Sequence, residues 1–187
     1  MGMGEGALLK RLFYTIVVLI CLGVLAVWGA VWYVKPRQTL DLSYEEISVG
    51  AIMLDMLKTR KFEVQLTERD VDHLIKKKLA QNNKLPYDIM ITGAKFELRG
   101  NQLAADVNLV WDYKVHAGTK LFFTLDWADP DIVAVHTRTS IRDLDIPAGW
   151  FQLESIRIPL DEGLPNIAAV KSVAFDDKLI RIGLKLK

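Results

Sequence analysis

Residues 12–34, LFYTIVVLICLGVLAVWGAVWYV, carry no charged side chain. A helix rises about 1.5 Å per residue, so the run spans roughly 34 Å, and a bilayer's hydrocarbon core is about 30 Å thick. Any folded domain must therefore be built from the residues that follow, held to a bilayer surface. Phe13 and Tyr14 stand near the entry of the run, and Trp28, Trp32 and Tyr33 near its exit. Such rings settle where headgroups meet hydrocarbon. A cleaved signal peptide has an apolar region of only about 7–15 residues and a small-x-small cleavage site. Here Trp28 occupies a position that cleavage after Ala30 would need to be small. The run reads as an uncleaved signal anchor. Cys21, the one cysteine, is an apolar filler within it.

Lys10 and Arg11 precede the run, and Lys35 and Arg37 follow it, so the positive charges nearly balance. The short basic tail fits the n-region of a signal anchor. The expected arrangement is a single-pass protein of the cell membrane, with its C-terminal domain extracytoplasmic. Residues 1–11 form the tail, 12–34 the anchor, 35–42 a linker and 43–187 one domain. The reach of so short a linker keeps that domain within a few tens of ångströms of the headgroups.

The chain has 24 basic and 23 acidic residues, a balance that excludes nucleic acid as the main partner. No cysteine lies beyond the anchor, so neither a disulfide framework nor a cysteine zinc site is expected.

Ser43, with Glu46 three residues later, reads as a capping box for a helix over 44–59, packed on the domain or lying in the headgroups. Phe62, Val64 and Leu66 alternate with polar residues and predict a short strand. Thr67 caps a second helix, with Asp70 in the box position. Val71, Leu74, Ile75 and Leu79 form its stripe, acids fill its first turn, and Lys76, Lys77 and Lys78 its last. Those three lysines are candidate headgroup contacts.

From Tyr87 onward the period is two. Ala94, Phe96 and Leu98 form one strand, turned at Gly100-Asn101. Leu103, Ala105, Val107, Leu109, Trp111, Tyr113 and Val115 form the next, with a turn expected at Ala117-Gly118. Leu121, Phe123, Leu125 and Trp127 follow, then a turn at Asp129-Pro130-Asp131, then Val133, Val135, Thr137, Thr139 and Ile141. Extended segments near 150–158 and 178–186 flank a loop and a short apolar piece from Ile167 to Val173. The expected fold class is α+β: a transmembrane helix, two amphipathic helices, then a long curved antiparallel meander of about six strands packed on a helix.

A strand over 103–115 would run roughly 43 Å, and the Thr67 helix only about 21–24 Å. The helix covers about half of the apolar face. The remainder is left to the Ser43 helix, to curling of the sheet, or to a bound acyl chain or other hydrophobe. The residues expected to line that face are Val107, Leu109, Trp111, Tyr113, Phe123, Leu125 and Trp127.

No catalytic constellation stands out. His73, His116 and His136 are scattered, the serines lack a nucleophile-elbow setting, and paired carboxylates such as Asp143/Asp145 sit at turns. No metal, cofactor or enzymatic activity is expected. The expected role is binding of a lipid or other hydrophobic ligand near the bilayer. The alternative is a structural or scaffold subunit of an envelope protein complex, with a closed core.

The order of an N-terminal anchor, the phrase FEVQLTERDVDHLIKKKLAQ at Phe62–Gln81, a long meander and a final DDKLIRIGLKLK at Asp176–Lys187 resembles the YpmS-like family of small membrane-anchored bacterial proteins. Members of that family have no established activity, so the resemblance carries over no catalytic residue. The architecture also looks like that of lipid-binding envelope domains in which a long curved sheet wraps a helix.

Overall fold

The computed structural model describes residues 5–46, 62–85, 88–147, 149, 153–160 and 168–186. The chain divides into two compact units, Met1–Lys35 and Pro36–Lys187. The first is helix α1, Glu5–Val34, long and apolar enough to cross a membrane from Lys10 to Val34.

The second unit is α+β. Strand β1 (Glu63–Thr67) leads into α2 (Glu68–Gln81), followed by β2 (Lys84–Leu85), β3 (Ile89–Arg99), β4 (Gln102–Trp111), β5 (Val115–Ala128) and β6 (Asp131–Ile141). Then come β7 (Leu144–Ile146), β8 (Ile156–Pro159), β9 (Ala168–Asp176) and β10 (Leu179–Leu186). Among these, β2 to β7 pair in sequence order, with β8 on β6, and β1-β10-β9 form a separate three-stranded sheet. The expected single meander is thus two antiparallel sheets. Ile180, Ile182 and Leu184 of β10 and Val170 of β9 join one core with Val71 of α2 and with Leu98, Leu103, Phe123, Leu125 and Ile132 of the large sheet.

Helix α2 begins as its sequence requires. Thr67 accepts from the Asp70 N–H, and the Asp70 carboxylate accepts from the Thr67 N–H at 2.9 Å. Two orphan donors are satisfied together. Val71 is buried and Ile75 and Leu79 pack on the core, whereas Leu74, expected in the stripe, is exposed. The expected Ser43 helix lies outside the described residues except for 44–46, which have no regular structure. There the Ser43 N–H donates to Asp41 Oδ1 at 2.9 Å and Glu46 accepts from Lys77 at 3.2 Å. Both groups of the anticipated capping box are engaged elsewhere.

Three strand assignments need correction. Strand β4 ends at Trp111, not Val115. Asp112 and Tyr113 both have positive φ, and the Lys114 N–H donates to Trp111 O at 3.0 Å. That mirror-image turn suits the twist of the flanking strands. Gly118 is consequently mid-strand in β5. In β6 the inward set is Ile132, Ala134 and His136, then Thr139, not Val133 and Val135. A bulge opposite Phe122/Phe123 changes the phase there. The extended segment expected over 150–158 is described as a strand only from Ile156 to Pro159, and the apolar piece ending at Val173 belongs to β9.

Candidate functional site

The seven residues expected to line an apolar surface do share one region, but their environments differ. Val107, Phe123 and Leu125 are buried beneath α2 and the small sheet, and Leu109 and Trp127 are partly buried against the same core. Trp127 Nε1 is buried without a hydrogen-bond partner among the described residues. Along β4 the face then opens, from Val107 at 6% exposure to Trp111 at 56%, and Tyr113 in the turn reaches 73%.

The opening coincides with the end of the covering helix. Helix α2 runs antiparallel to β3, its carboxylates capping the free edge of that strand. The Leu98 N–H donates to Glu68 Oε2 and the Phe96 N–H to Asp72 Oδ1, both at 2.8 Å. Past the last helical turn, the Ile91 N–H donates to Asn83 O at 2.8 Å. The next strand pair, Ile89 with Trp111, lies beyond the helix. Leu85, Ile89, Trp111 and Val115 oppose one another across β2, β3, β4 and β5, so they form one row on one face.

The reverse face of the sheet is crossed by residues 36–41, within the segment 35–42 expected to be a linker. Gly93, Asn108 and Gly118 form a cross-strand row. A Cβ on Gly93 would lie 2.1 Å from Leu40 O, and one on Gly118 would lie 2.9 Å from Pro36 Cα. Between them the buried Asn108 donates its Nδ2 to Gln38 O at 2.8 Å. The Ala94 N–H donates to Asp41 O at 3.1 Å. Residues 36–41 are therefore a docked strap, and Arg37 extends from it to Asp143 at 3.4 Å. Asp41 is held below the usual carboxylate range by the Ser43 hydroxyl and backbone N–H. No motif in the sequence of residues 36–41 marks the strap. The available signal was glycine inside a strand pattern, which marks close backbone approach.

Beside the strap the same face forms a groove of about 550 Å³ whose lining includes Glu97, Lys120, Phe122, Arg138 and Asp145. Arg138 lies over the Phe122 ring at 4.0 Å and pairs with Asp145 at 3.6 Å. Lys120 pairs with Asp106 at 3.2 Å and Lys95 with Glu97 at 2.9 Å. The Lys95 hydrogen bond holds Glu97 below its ordinary range. Ion pairing within the groove leaves little field to concentrate a charged ligand.

The lysine run on α2 is divided. Lys76 is mostly buried and bridges Asp72 at 2.9 Å. Lys77 bridges Glu46 and lies over the Tyr44 ring, while Lys78 is exposed. The histidines are separate as well. His73 Nδ1 accepts from the Glu45 N–H at 3.1 Å, and His116 is exposed. His136 is buried, with Nε2 at 2.8 Å from Thr139 Oγ1 and Nδ1 accepting from the Leu153 N–H at 3.3 Å. That pairing places its proton on Nε2. Among the described residues no group of three histidine, cysteine or acidic side chains could hold a metal. Comparison with family models, with curated proteins and with solved structures finds no match to the chain.

Proposed function

We propose that this is a non-enzymatic, single-pass membrane protein. Its extracytoplasmic domain binds a lipid or other hydrophobe near the bilayer, at the end of the apolar sheet face that α2 leaves uncovered. The observation that carries the reading is the run from buried Val107 through half-buried Leu109 to exposed Trp111 on one strand face. Exposed apolar area contiguous with a core is the kind of surface that meets a ligand, a partner or a membrane. The second reading, a scaffold subunit of an envelope complex, is favoured by the full burial of Phe123 and Leu125.

Residues 36–187 form a compact unit by themselves, so the test uses that fragment without the helix that precedes it. Native mass spectrometry of that fragment should find copurifying lipid, reduced by Trp111→Glu at an exposed site that folding does not depend on. A lipid-free fragment of unchanged stability would sink the ligand reading in favour of the scaffold. Orientation is tested by protease added to intact cells; a domain cut only after lysis would place it on the inner side.

A further inference from the structure

The apolar row at the sheet's end has no covering element among the described residues, and its chemistry is specific. Leu85 and Trp111 are exposed, Ile89 and Val115 are half-buried, and Tyr113 projects from the turn beyond them. Four strands at about 4.8 Å spacing make the row roughly 14 Å wide. The Asp112 N–H donates to Asp88 O at 3.1 Å, tying the β4–β5 turn to the start of β3 and stiffening the rim. Exposed tryptophan and tyrosine on an aliphatic base, beside Lys114 paired with Asp112, match the composition of headgroup-level belts.

The path of the strap bounds the length of chain between the anchor and this row. The chain enters the domain at Pro36, over Gly118, and Gly118 lies three strand pairs from the Trp111–Val115 pair. That separation is about 10 Å. Two peptide units from Val34 to Pro36 add at most about 8 Å. With Lys10–Val34 in the bilayer and Pro36 about 4 Å from Gly118, the chain can hold the near end of the row, at Val115, no further than about 22 Å from the point where it leaves the bilayer, and the far end, at Leu85, no further than about 30 Å.

We propose that Leu85, Ile89, Trp111, Tyr113 and Val115 form a membrane foot, a rim of the sheet that rests in the headgroup region of the bilayer spanned by α1. The proposal rests on reading α1 as a membrane span. It adds a contact for the folded domain that does not require a bound lipid ligand. A foot of this kind holds the open end of the apolar face against the membrane, so a hydrophobe can pass between them without crossing water.

The test uses the full chain in vesicles of phosphatidylcholine with a minor share of phosphatidylglycerol. In a Cys21→Ser background, Tyr113→Cys, Lys114→Cys and Gln102→Cys each receive an environment-sensitive fluorophore. Gln102 is exposed at the opposite end of β4. The labels at 113 and 114 should emit to the blue of the label at 102. Lipids carrying a nitroxide near the headgroup should quench them about twofold or more beyond it, as expected for insertion by about 5–10 Å. A chain that floats with the vesicles while both tip labels stay as open to aqueous iodide as position 102 overturns the foot alone. A chain that does not float overturns the span and the foot together.

Discussion

Replacing Gly93 with alanine should release the strap from the sheet. The new Cβ would lie 2.1 Å from Leu40 O, 2.2 Å from Leu40 C and 2.7 Å from Asp41 N, all backbone atoms. Side-chain rotation cannot relieve contacts of that kind. Two responses are open. If the strap stays, local overpacking costs about 1–3 kcal/mol. If it leaves, the domain loses the Ala94–Asp41 and Asn108–Gln38 hydrogen bonds, each worth about 1 kcal/mol net. It also loses part of the Leu42 burial, for which full burial would contribute about 1.5–3 kcal/mol. The cheaper route sets the effect, so residues 36–187 should be destabilised by about 1–3 kcal/mol in urea. The two routes differ in hydrogen exchange. Undocking removes protection at the Ala94 amide while Leu98 and Phe96, held by α2, keep theirs. Proteolysis within 37–42 should rise in parallel. Unchanged stability with unchanged Ala94 protection would refute the docked strap.

Other perturbations address the elements that place the strap and the open rim. Thr67→Ala removes one half of a closed capping box and should cost about 1 kcal/mol by denaturant melting, with fraying confined to the first turn of α2. Leu98→Ala, at a large side chain with no exposure, should cost about 2–5 kcal/mol. Asp72→Ala strands the Phe96 N–H and the mostly buried Lys76 ammonium together, so it should cost about 2 kcal/mol or more and promote association through the bared β3 edge, visible by light scattering. Asp41 titrates below its ordinary value in the folded chain, so its contribution is present above the usual carboxylate range and lost as pH falls through the lowered value. Ala94 protection, corrected for intrinsic exchange, should be flat above that range and decline on acidification below it.

The elements that were legible are those whose signals are local. The capping box at Thr67 and Asp70, the turn at Gly100-Asn101 and the inward faces of β4 and β5 follow from neighbouring residues, and each is present. Displaced features depend on contacts distant in the chain. Gly118 reads as a turn because glycine usually marks one, yet its missing side chain admits Pro36, 82 residues away in the numbering. The actual turn, Asp112-Tyr113, carries a bulky aromatic at positive φ, where local preference expects glycine or asparagine. In β6 a single extra residue at the bulge reverses the inward and outward sets, and alternation alone has no term for an insertion. Of the seven expected surface residues, six lie on one strand face and Tyr113 lies in the turn beyond it, and the sequence could not divide the six, because the dividing boundary is where α2 stops.

That boundary follows from two matched repeats. One helical turn between Glu68 and Asp72 advances about 6 Å, and two strand residues between Leu98 and Phe96 advance about 6.6 Å. Carboxylates four apart on the helix can therefore meet N–H groups two apart on the strand edge, and they do. The next position on the helix in this series is Lys76, which has no acceptor. The next free edge donator is Ala94, and the strap carbonyl of Asp41 takes it instead. The first-turn acids, sufficiently explained by the helix dipole, thus also fix the register of α2 along β3. With that register set, a helix of 14 residues spans about 21 Å and ends beside Ile91. The Ile89–Trp111 pair is left outside it. The same carboxylates that close one end of the core determine, by helix length alone, that the other end stays open beside the entry of the strap.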